Sequence, residues 1–427
     1  MREKNMENIL VSIWCTTYNH VKYIRDTIEG ILAQKVNFKY EIIIYDDAST
    51  DGTTEIIREY ETKCPDIIKT AIQKENRYAE IKKNWKKKKE ILCNLTEGKY
   101  IAMCEGDDFW IDVNKLQIQV DYMETHPDCA FTAHDAIKLE SGSHSIGTMR
   151  PYIKDKDISP EELIIQYHGN LPTVSTLFRR EMLDLDGFFL EAGVGDYPLQ
   201  LYALTKGKVH YFTRIMAVYR YLHEGSWNKE TMQKLDNKMI HLFRMTNFLQ
   251  KYNAYTKKQY EKYVLTKIQK YIQQIIYGYQ ELTIREFADK CAMLDEKSDH
   301  LYQNYFCEMQ RLFQQTFDET YCDEEVKERT GQYAHTIIWG TGKYGELVAK
   351  QLENAGISYE GFAVSDNQEV KKEYCKKAVW RLSDLPFEKK DMLLIIAINP
   401  VIWNELSDAL EWAGIENYIC PFLIKEN

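Results

Sequence analysis

The chain has 427 residues, of which 44% are hydrophobic and 28% charged, and it carries a formal net charge of -10. That length exceeds one ordinary domain, and the composition is that of a globular protein in water. The acidic balance speaks against a nonspecific nucleic-acid binder, so no nucleic-acid partner is expected.

From residue 9 to about 225 the pattern alternates between short apolar runs and amphipathic stretches. Ile9 to Cys15 reads as a strand. Asn19 is expected to cap a helix whose face is Val21, Ile24, Ile28, Ile31 and Leu32. Ile42 to Tyr45 is the next strand, Asp51-Gly52 opens a helix with Ile56, Ile57 and Tyr60, and Ile67 to Ile72 is a third strand. A Lys-rich helix leads to a strand from Tyr100 to Cys104. This rhythm predicts a mainly parallel sheet. A further helix is expected through Leu116, Val120 and Met123, and strands at Cys129 to Ala133 and Val174 to Phe178. Residues 141–173 show no clear period and read as a loop region near the site.

From about 230 to 330 the chain is rich in Lys, Gln, Tyr and Glu at helical spacing, which predicts a helical linker or small bundle. A second α/β stretch follows. His335 to Trp339 reads as a strand, then Gly340-Thr341-Gly342-Lys343-Tyr344-Gly345 opens a helix through Leu347, Val348 and Leu352. Leu393 to Ala397 is another strand and Leu406 to Trp412 another helix.

Two acidic clusters end apolar runs: Asp46-Asp47-Ala48-Ser49-Thr50-Asp51 after Ile42 to Tyr45, and Glu105-Gly106-Asp107-Asp108 after Tyr100 to Cys104. In open α/β sheets ligands bind beyond the carboxyl ends of the strands, so the clusters are expected at one rim. Gathered carboxylates repel unless a cation or proton separates them, and a divalent metal carrying a phosphorylated ligand would do so.

These residues carry a resemblance. Val11 to Asn19, followed by the Asp46 to Gly52 block, resembles the opening of family 2 glycosyltransferases. Glu105 to Trp110 is similar to that family's metal-binding motif, Gly195-Asp196-Tyr197-Pro198-Leu199 to its base motif, and Tyr219 to Ser226 to the segment closing its catalytic domain. The resemblance covers roughly the first 230 residues. It implies a GT-A fold, an NDP-sugar donor with UDP as the carrier, inversion at the anomeric carbon, and Mn²⁺ or Mg²⁺. The implied acceptor is a hydroxyl of a glycan or lipid-linked molecule, in cell-surface polysaccharide synthesis. The expected organisation is a GT-A domain over 1–230, a helical linker over 231–332 and a small Rossmann-like α/β domain over 333–427.

By the same resemblance, Asp108 and His223 hold the metal, with Asp107 beside them on the nucleotide sugar. Thr16, Tyr18 and Asp47 line the nucleotide pocket, while Asp46 shapes the turn. Asp196 is the general base: an acceptor hydroxyl is a poor nucleophile until its proton is removed during attack. Each has a plainer alternative. Asp108 and Asp196 could cap turns or helices. Tyr18 could be rim packing and His223 a surface loop residue. Asp51 is left outside the site.

The run Lys82 to Lys89 stands out in an acidic protein. It reads as a solvated helix face, or as a surface attracting an anionic acceptor or lipid headgroups. The Gly-rich loop has the context in which GxGxxG binds a dinucleotide pyrophosphate, with Gly340, Gly342, Gly345 and Asp366 as its ligand residues. A structural or oligomerising role, including a homo-oligomer, is the plainer reading of that module. Rival functions are a nucleotide-sugar-binding scaffold without turnover, a bifunctional chain, and a nucleotidyltransferase. The last would need a Gly-rich basic loop where Thr16 to His20 stands.

The ten cysteines form no CxxC pair and show no zinc-like spacing with His, so reduced thiols are expected. Residues 1–8 hold no apolar signal core, and no run approaches the ~20 apolar residues that span a bilayer. The expected location is the cytoplasm, with peripheral contact at the inner face of the cell membrane allowed.

Overall fold

The computed structural model describes residues 8–76, 85–140, 146–166, 171–185, 187–192, 194–221, 226, 228–297, 305–366, 368–398, 409–410 and 412–422. The chain divides into two compact units, residues 1–241 with 248–264 and residues 242–247 with 265–427.

In the first unit, β1 (Ile9–Thr17), β2 (Lys39–Asp46), β3 (Ile68–Ile72) and β4 (Tyr100–Met103) lie parallel, in the order β3-β2-β1-β4. They alternate with α1 (Ile24–Leu32), α2 (Thr53–Lys63) and α3 (Trp85–Leu95). The strands are apolar on both faces because helices cover both. On one face Val11, Ile13 and Cys15 pack with Ile24, Ile28 and Ile31, which recur at helical spacing on α1. Burying each such isoleucine stabilises the unit by about 1.5–3 kcal/mol.

Asn19 does not cap α1. The helix starts at Ile24, and Asn19 sits at φ 54, where its side-chain oxygen accepts the Thr50 N–H at 2.8 Å. Asx residues tolerate that left-handed conformation, so Asn19 joins two loops instead.

The sheet continues through β9 (Leu177–Arg179), β6 (Cys129–Glu140), β10 (Lys208–Tyr221) and β5 (Phe109–Trp110). β9 runs antiparallel to both β4 and β6, whereas β10 is parallel to β6. Two short strands attach at the side: β7 (Ile146–Thr148) on β6 and β8 (Lys156–Asp157) on β10. α4 (Lys115–Thr125) precedes β6, and α5 (Pro160–Ile165), α6 (Phe188–Glu191) and α7 (Asp196–Ala203) fill the stretches around β9 and β10.

Several boundaries differ from expectation. β6 runs on to Glu140, and Val174 lies in a 3₁₀ turn ahead of β9. The stretch read as loop holds β7, β8 and α5. α5 has Pro160 at its first turn and a capping box in which Ser159 accepts the Glu162 N–H at 3.2 Å.

α8 (Leu235–Tyr255) and α9 (Glu261–Gly278) follow β10. The second unit contains α10 (Ile284–Glu296), α11 (Phe306–Phe317), α12 (Glu324–Thr330) and α13 (Lys343–Asn354). Its sheet has the order β13-β14-β12-β11-β15-β16, formed by β11 (His335–Trp339), β12 (Gly361–Val364), β13 (Glu373–Tyr374), β14 (Lys377–Arg381), β15 (Met392–Ile396) and β16 (Tyr418–Ile419). All its pairings are parallel except β13 with β14. Ile338, Phe362 and Leu393 pack on one face with Val348 and Leu352 of α13; Ile337, Trp339 and Leu394 pack on the other with Leu410 and Ala413. Among the described residues no helix is long and apolar enough to cross a membrane.

Candidate active site

The C-terminal ends of β1, β2 and β4 interlock by backbone bonds. Asp47 donates its N–H to the Thr17 carbonyl at 3.1 Å, and Gly106 donates to the Thr16 carbonyl at 2.9 Å. Both acidic clusters therefore leave the sheet at one rim. Gly106 is required there: a Cβ would lie 2.5 Å from Thr17 Oγ1 and 2.6 Å from Thr17 Cβ.

At that rim Asp46 is consumed by its own turn. Its oxygens accept from Ser49 N and Oγ at 3.2 and 2.5 Å, and from the Thr54 hydroxyl. Asp47 is buried beside Tyr45. Thr16 is half-buried, and Tyr18 stands 41% exposed, so it is not packed into the rim. Asp51 accepts the Val21 and Thr53 N–H groups, both at 3.0 Å, and serves the loop.

Asp108 is buried and held firmly on one side. Its Oδ1 accepts the Arg220 backbone N–H at 2.8 Å; its Oδ2 is buried with no hydrogen-bond partner. The Thr27 hydroxyl donates to the Asp108 carbonyl at 2.6 Å, and the Arg220 guanidinium donates to the Asp107 carbonyl at 2.6 Å. That guanidinium also pairs with Asp26 and stacks over Phe109, at 4.5 Å from the ring centre. His20 Nε2 lies 4.0 Å from Asp107 Oδ2.

The carboxylates strain one another's ionisation. Burial, then Asp107 and Glu105, raise the Asp108 carboxyl well above its usual range. Glu105 is pushed up to about 7 by burial, Asp107 and Asp196, against the pull of Lys88. Asp196 is raised by burial. Asp196 is the first residue of α7 and its side chain is not the helix cap, which is Gly195 without a side-chain bond. The Tyr219 hydroxyl is raised by burial and then by Asp108, Glu105, Asp196 and Asp107. Tyr219, on β10, therefore lies in the shared field of all four carboxylates.

Two of these groups were not singled out from the sequence. Glu105 stands in the acidic motif, whose pattern alone gives it no role. Lys88 was read as one of many lysines on a helix face. It lies 5.4 Å from the Tyr45 ring centre, and its ammonium is depressed by burial although Glu105 and Asp47 favour the charge. Trp85 to Leu95 is helical, so residues one turn either side of Lys88 could have been placed on the same face; the sheet it faces could not. Residues 82–84 of that run lie outside the described residues, as does His223.

The donor chemistry fits a hard divalent cation. Asp108 Oδ2 is an oxygen ligand without a partner in a surplus of negative charge. Among the described residues no three His, Cys, Asp or Glu side chains converge as a ready-made metal cage. Mg²⁺-type sites are often built from one or two carboxylates plus substrate phosphates, which is compatible with that.

Residues 12–184 match the family model described as glycosyl transferase family 2. Residues 12–184 are therefore similar to a family 2 glycosyltransferase domain. An uncharacterized protein of Mycobacterium tuberculosis is 31% identical over 218 residues, covering 51% of this chain and 60% of that one. The chain thus spans less than two thirds of that relative's length. The Escherichia coli protein named UDP-Glc:alpha-D-GlcNAc-diphosphoundecaprenol beta-1,3-glucosyltransferase WfaP is 29% identical over 248 residues, 56% of this chain and 85% of that one. Among solved structures, residues 1–349 of TarS from S. aureus with UDP-GlcNAc align at 14% identity and a TM-score of 0.49, over 77% of this chain and 93% of that one. With the family match, the mixed α/β fold of the glycosyltransferase domain is GT-A-like, as expected from the sequence.

In the second unit the Gly-rich loop joins β11 to α13. Gly340 has φ 130, and a Cβ there would lie 2.5 Å from the Ala397 carbonyl oxygen. A Cβ on Gly345 would lie 2.1 Å from the Gly340 carbonyl oxygen, whereas one on Gly342 meets nothing within 4 Å. Gly340 and Gly345 thus serve close packing, and Gly342 faces open space. Asp366 Oδ1 accepts the Ser383 N–H at 3.1 Å, tying the loop after β12 to the turn after β14.

Proposed function

We propose that the first unit transfers a sugar from a nucleoside-diphosphate sugar, with UDP as the carrier, to a hydroxyl of a glycan or lipid-linked acceptor, with inversion. The observation that carries this reading is Asp108: one oxygen fixed by Arg220, the other buried and unpartnered, inside a group of carboxylates that raise one another's pKa. The printed name of the E. coli relative, a transferase from UDP-Glc to a diphosphoundecaprenol-linked sugar, supports the same classes of donor and acceptor.

Asp108, with Asp107 beside it, would hold Mn²⁺ or Mg²⁺, and His223 would complete that shell. A cation bound there supplies positive charge to the departing diphosphate. Thr16, Tyr18 and Asp47 would hold the nucleotide, with Tyr18 offering an open ring for stacking. The acceptor oxygen forms the new bond to the anomeric carbon as the bond to the diphosphate oxygen breaks. Its proton passes to Asp196, whose raised pKa makes it a stronger base than an exposed carboxylate. Asp196 comes from α7, a segment separate from the acidic loop after β4, which supports attack from the face opposite the leaving group.

The C-terminal loop would take a nucleotide or dinucleotide at Gly342, within a Rossmann-like module, with Asp366 near its ribose. The strand order of the second sheet supports that reading of the module.

The test is release of nucleoside diphosphate from a panel of NDP-sugars with Mn²⁺ or Mg²⁺. One donor should react in a metal-dependent way, and both Asp108→Asn and Asp196→Asn should abolish turnover. Binding of a donor without turnover, with every acceptor class supplied, would replace the enzyme by a scaffold.

A further inference from the structure

β10 has an outer edge that β8 and β5 cover only in part. β8 pairs with His210 and Tyr211, and β5 with Ala217 and Val218. Between them the strand is irregular, with register shifts against β6 around Phe212, Ile215 and Ala217. Two chain segments meet that gap. The Asp155 carboxylate accepts from Thr213 N and Oγ1 at 2.8 and 2.6 Å, and Ile111 donates its N–H to the Met216 carbonyl at 3.0 Å.

This edge carries three of the large apolar side chains that the described surface exposes: Ile153 is 89% exposed, Ile111 44% and Ile215 38%. An isoleucine left almost wholly in water at a loop tip has no role in the core. Three separate segments thus set exposed isoleucines along one strand edge, and exposed apolar surface of that kind marks interaction sites. Arg150 and Lys154 are exposed beside Ile153. Arg214 lies next to Ile215, with its charge shared with Asp112. Asp155 accepts from Thr213 and keeps its negative charge there, one acid against the exposed Arg150 and Lys154. In a chain of net charge -10, this edge has the exposed cations Arg150 and Lys154 close in sequence to Ile153.

We infer that the β10 edge is a membrane-docking surface: Ile111, Ile153 and Ile215 enter an anionic phospholipid bilayer while Arg150 and Lys154 meet its headgroups. An anionic bilayer would repel the chain as a whole, so the local cations are what complement it. Ile111 follows Asp108 by three residues, so docking there brings the acidic rim close to the bilayer surface. A lipid-linked acceptor would then be met where it resides.

The test is co-sedimentation of the full chain with vesicles of phosphatidylcholine alone and of phosphatidylcholine with phosphatidylglycerol. The chain should bind the anionic vesicles and bind the neutral ones more weakly. Replacing Ile111, Ile153 and Ile215 together by Ser should weaken binding ~tenfold or more at an unchanged thermal midpoint. If the triple variant does not fold, Ile153→Ser alone, at the most exposed position, should still weaken it severalfold, and Arg150→Gln with Lys154→Gln should remove the preference for anionic vesicles. No binding to either vesicle, or full binding by the variants, overturns the proposal. So does a wild-type dimer that the Ser substitutions dissociate, which would make the edge an interface between copies. Donor turnover with a free acceptor is measured without vesicles, so failure here leaves the transferase reading intact, and the converse holds.

Discussion

The backbone N–H of Arg220 holds Asp108 Oδ1 at 2.8 Å and leaves Oδ2 buried without a partner. Because the donor is main chain, it survives any side-chain change at 220 short of proline. Asp108→Asn keeps an oxygen for that N–H and removes the charge. The variant should lose at least ~10²-fold in metal-dependent turnover. Without metal its thermal midpoint should stay level or rise, since an uncompensated buried carboxylate is costly. Calorimetry with and without Mn²⁺ reads both effects.

The Arg220 side chain has a different task. It bonds the Asp107 carbonyl, pairs with Asp26 and covers Phe109. Arg220→Ala should lower the unfolding free energy by about 2 kcal/mol, the scale of a lost charged hydrogen bond. Arg220→Lys should recover only part of it, because a point charge cannot replace the planar fork. Denaturant titration decides.

Asp196→Asn should reduce kcat by about 10²–10⁴ and leave donor affinity within a few-fold. A fall in affinity of the same size would move Asp196 from base to binding residue.

Lys115 supplies a pH test on a group outside the acidic cluster itself. It is fully buried, donates to Gln119 at 2.7 Å and lies 4.2 Å from the Trp110 ring centre. Burial depresses its ammonium from 10.5 to about 7. Between those values the unfolded chain holds the extra proton, so stability rises with pH, by up to about 1.4 kcal/mol per pH unit. Below pH 7 both states are protonated and this contribution to the slope ends. Lys115→Met should flatten the rise and raise the thermal midpoint at pH 7.

The two glycines of the C-terminal loop separate packing from binding. Gly345→Ala should destabilise the second unit by about 1–3 kcal/mol, because its Cβ would overlap the Gly340 carbonyl oxygen. Gly342→Ala meets nothing within 4 Å and should fold normally. If the loop binds a nucleotide, Gly342→Ala should still weaken a ligand-induced thermal shift.

The sequence is legible where local pattern and tertiary role agree. Ile42 to Tyr45 and Tyr100 to Cys104 are apolar runs ended by acids, so strands and rim follow together. Where long-range pairing decides, pattern fails. The register shifts of β10 break the alternation over residues 208–221, so no strand pattern is legible there. Arg220 was quoted inside a motif, but nothing local says that its main chain reaches Asp108, 112 residues earlier. Lys88 is hidden among like neighbours, and only the opposing sheet distinguishes it. The S-x-x-E box at Ser159 is legible in the sequence, but no apolar period marks α5 behind it. His223 and the cofactor roles of Gly342 and Asp366 remain proposals from resemblance.

β10 also shows that the family match is too short a piece of chain to stand alone. A fragment ending at residue 184, where the family match stops, keeps β1 to β9 and all three acids after β4. It would nevertheless leave β5 and β8 without a neighbour, strip one side of β6, and take away the amide that orients Asp108. Anyone trimming this protein for expression should cut beyond residue 264, where the first compact unit ends, because the recognisable part of the domain is shorter than its folding unit.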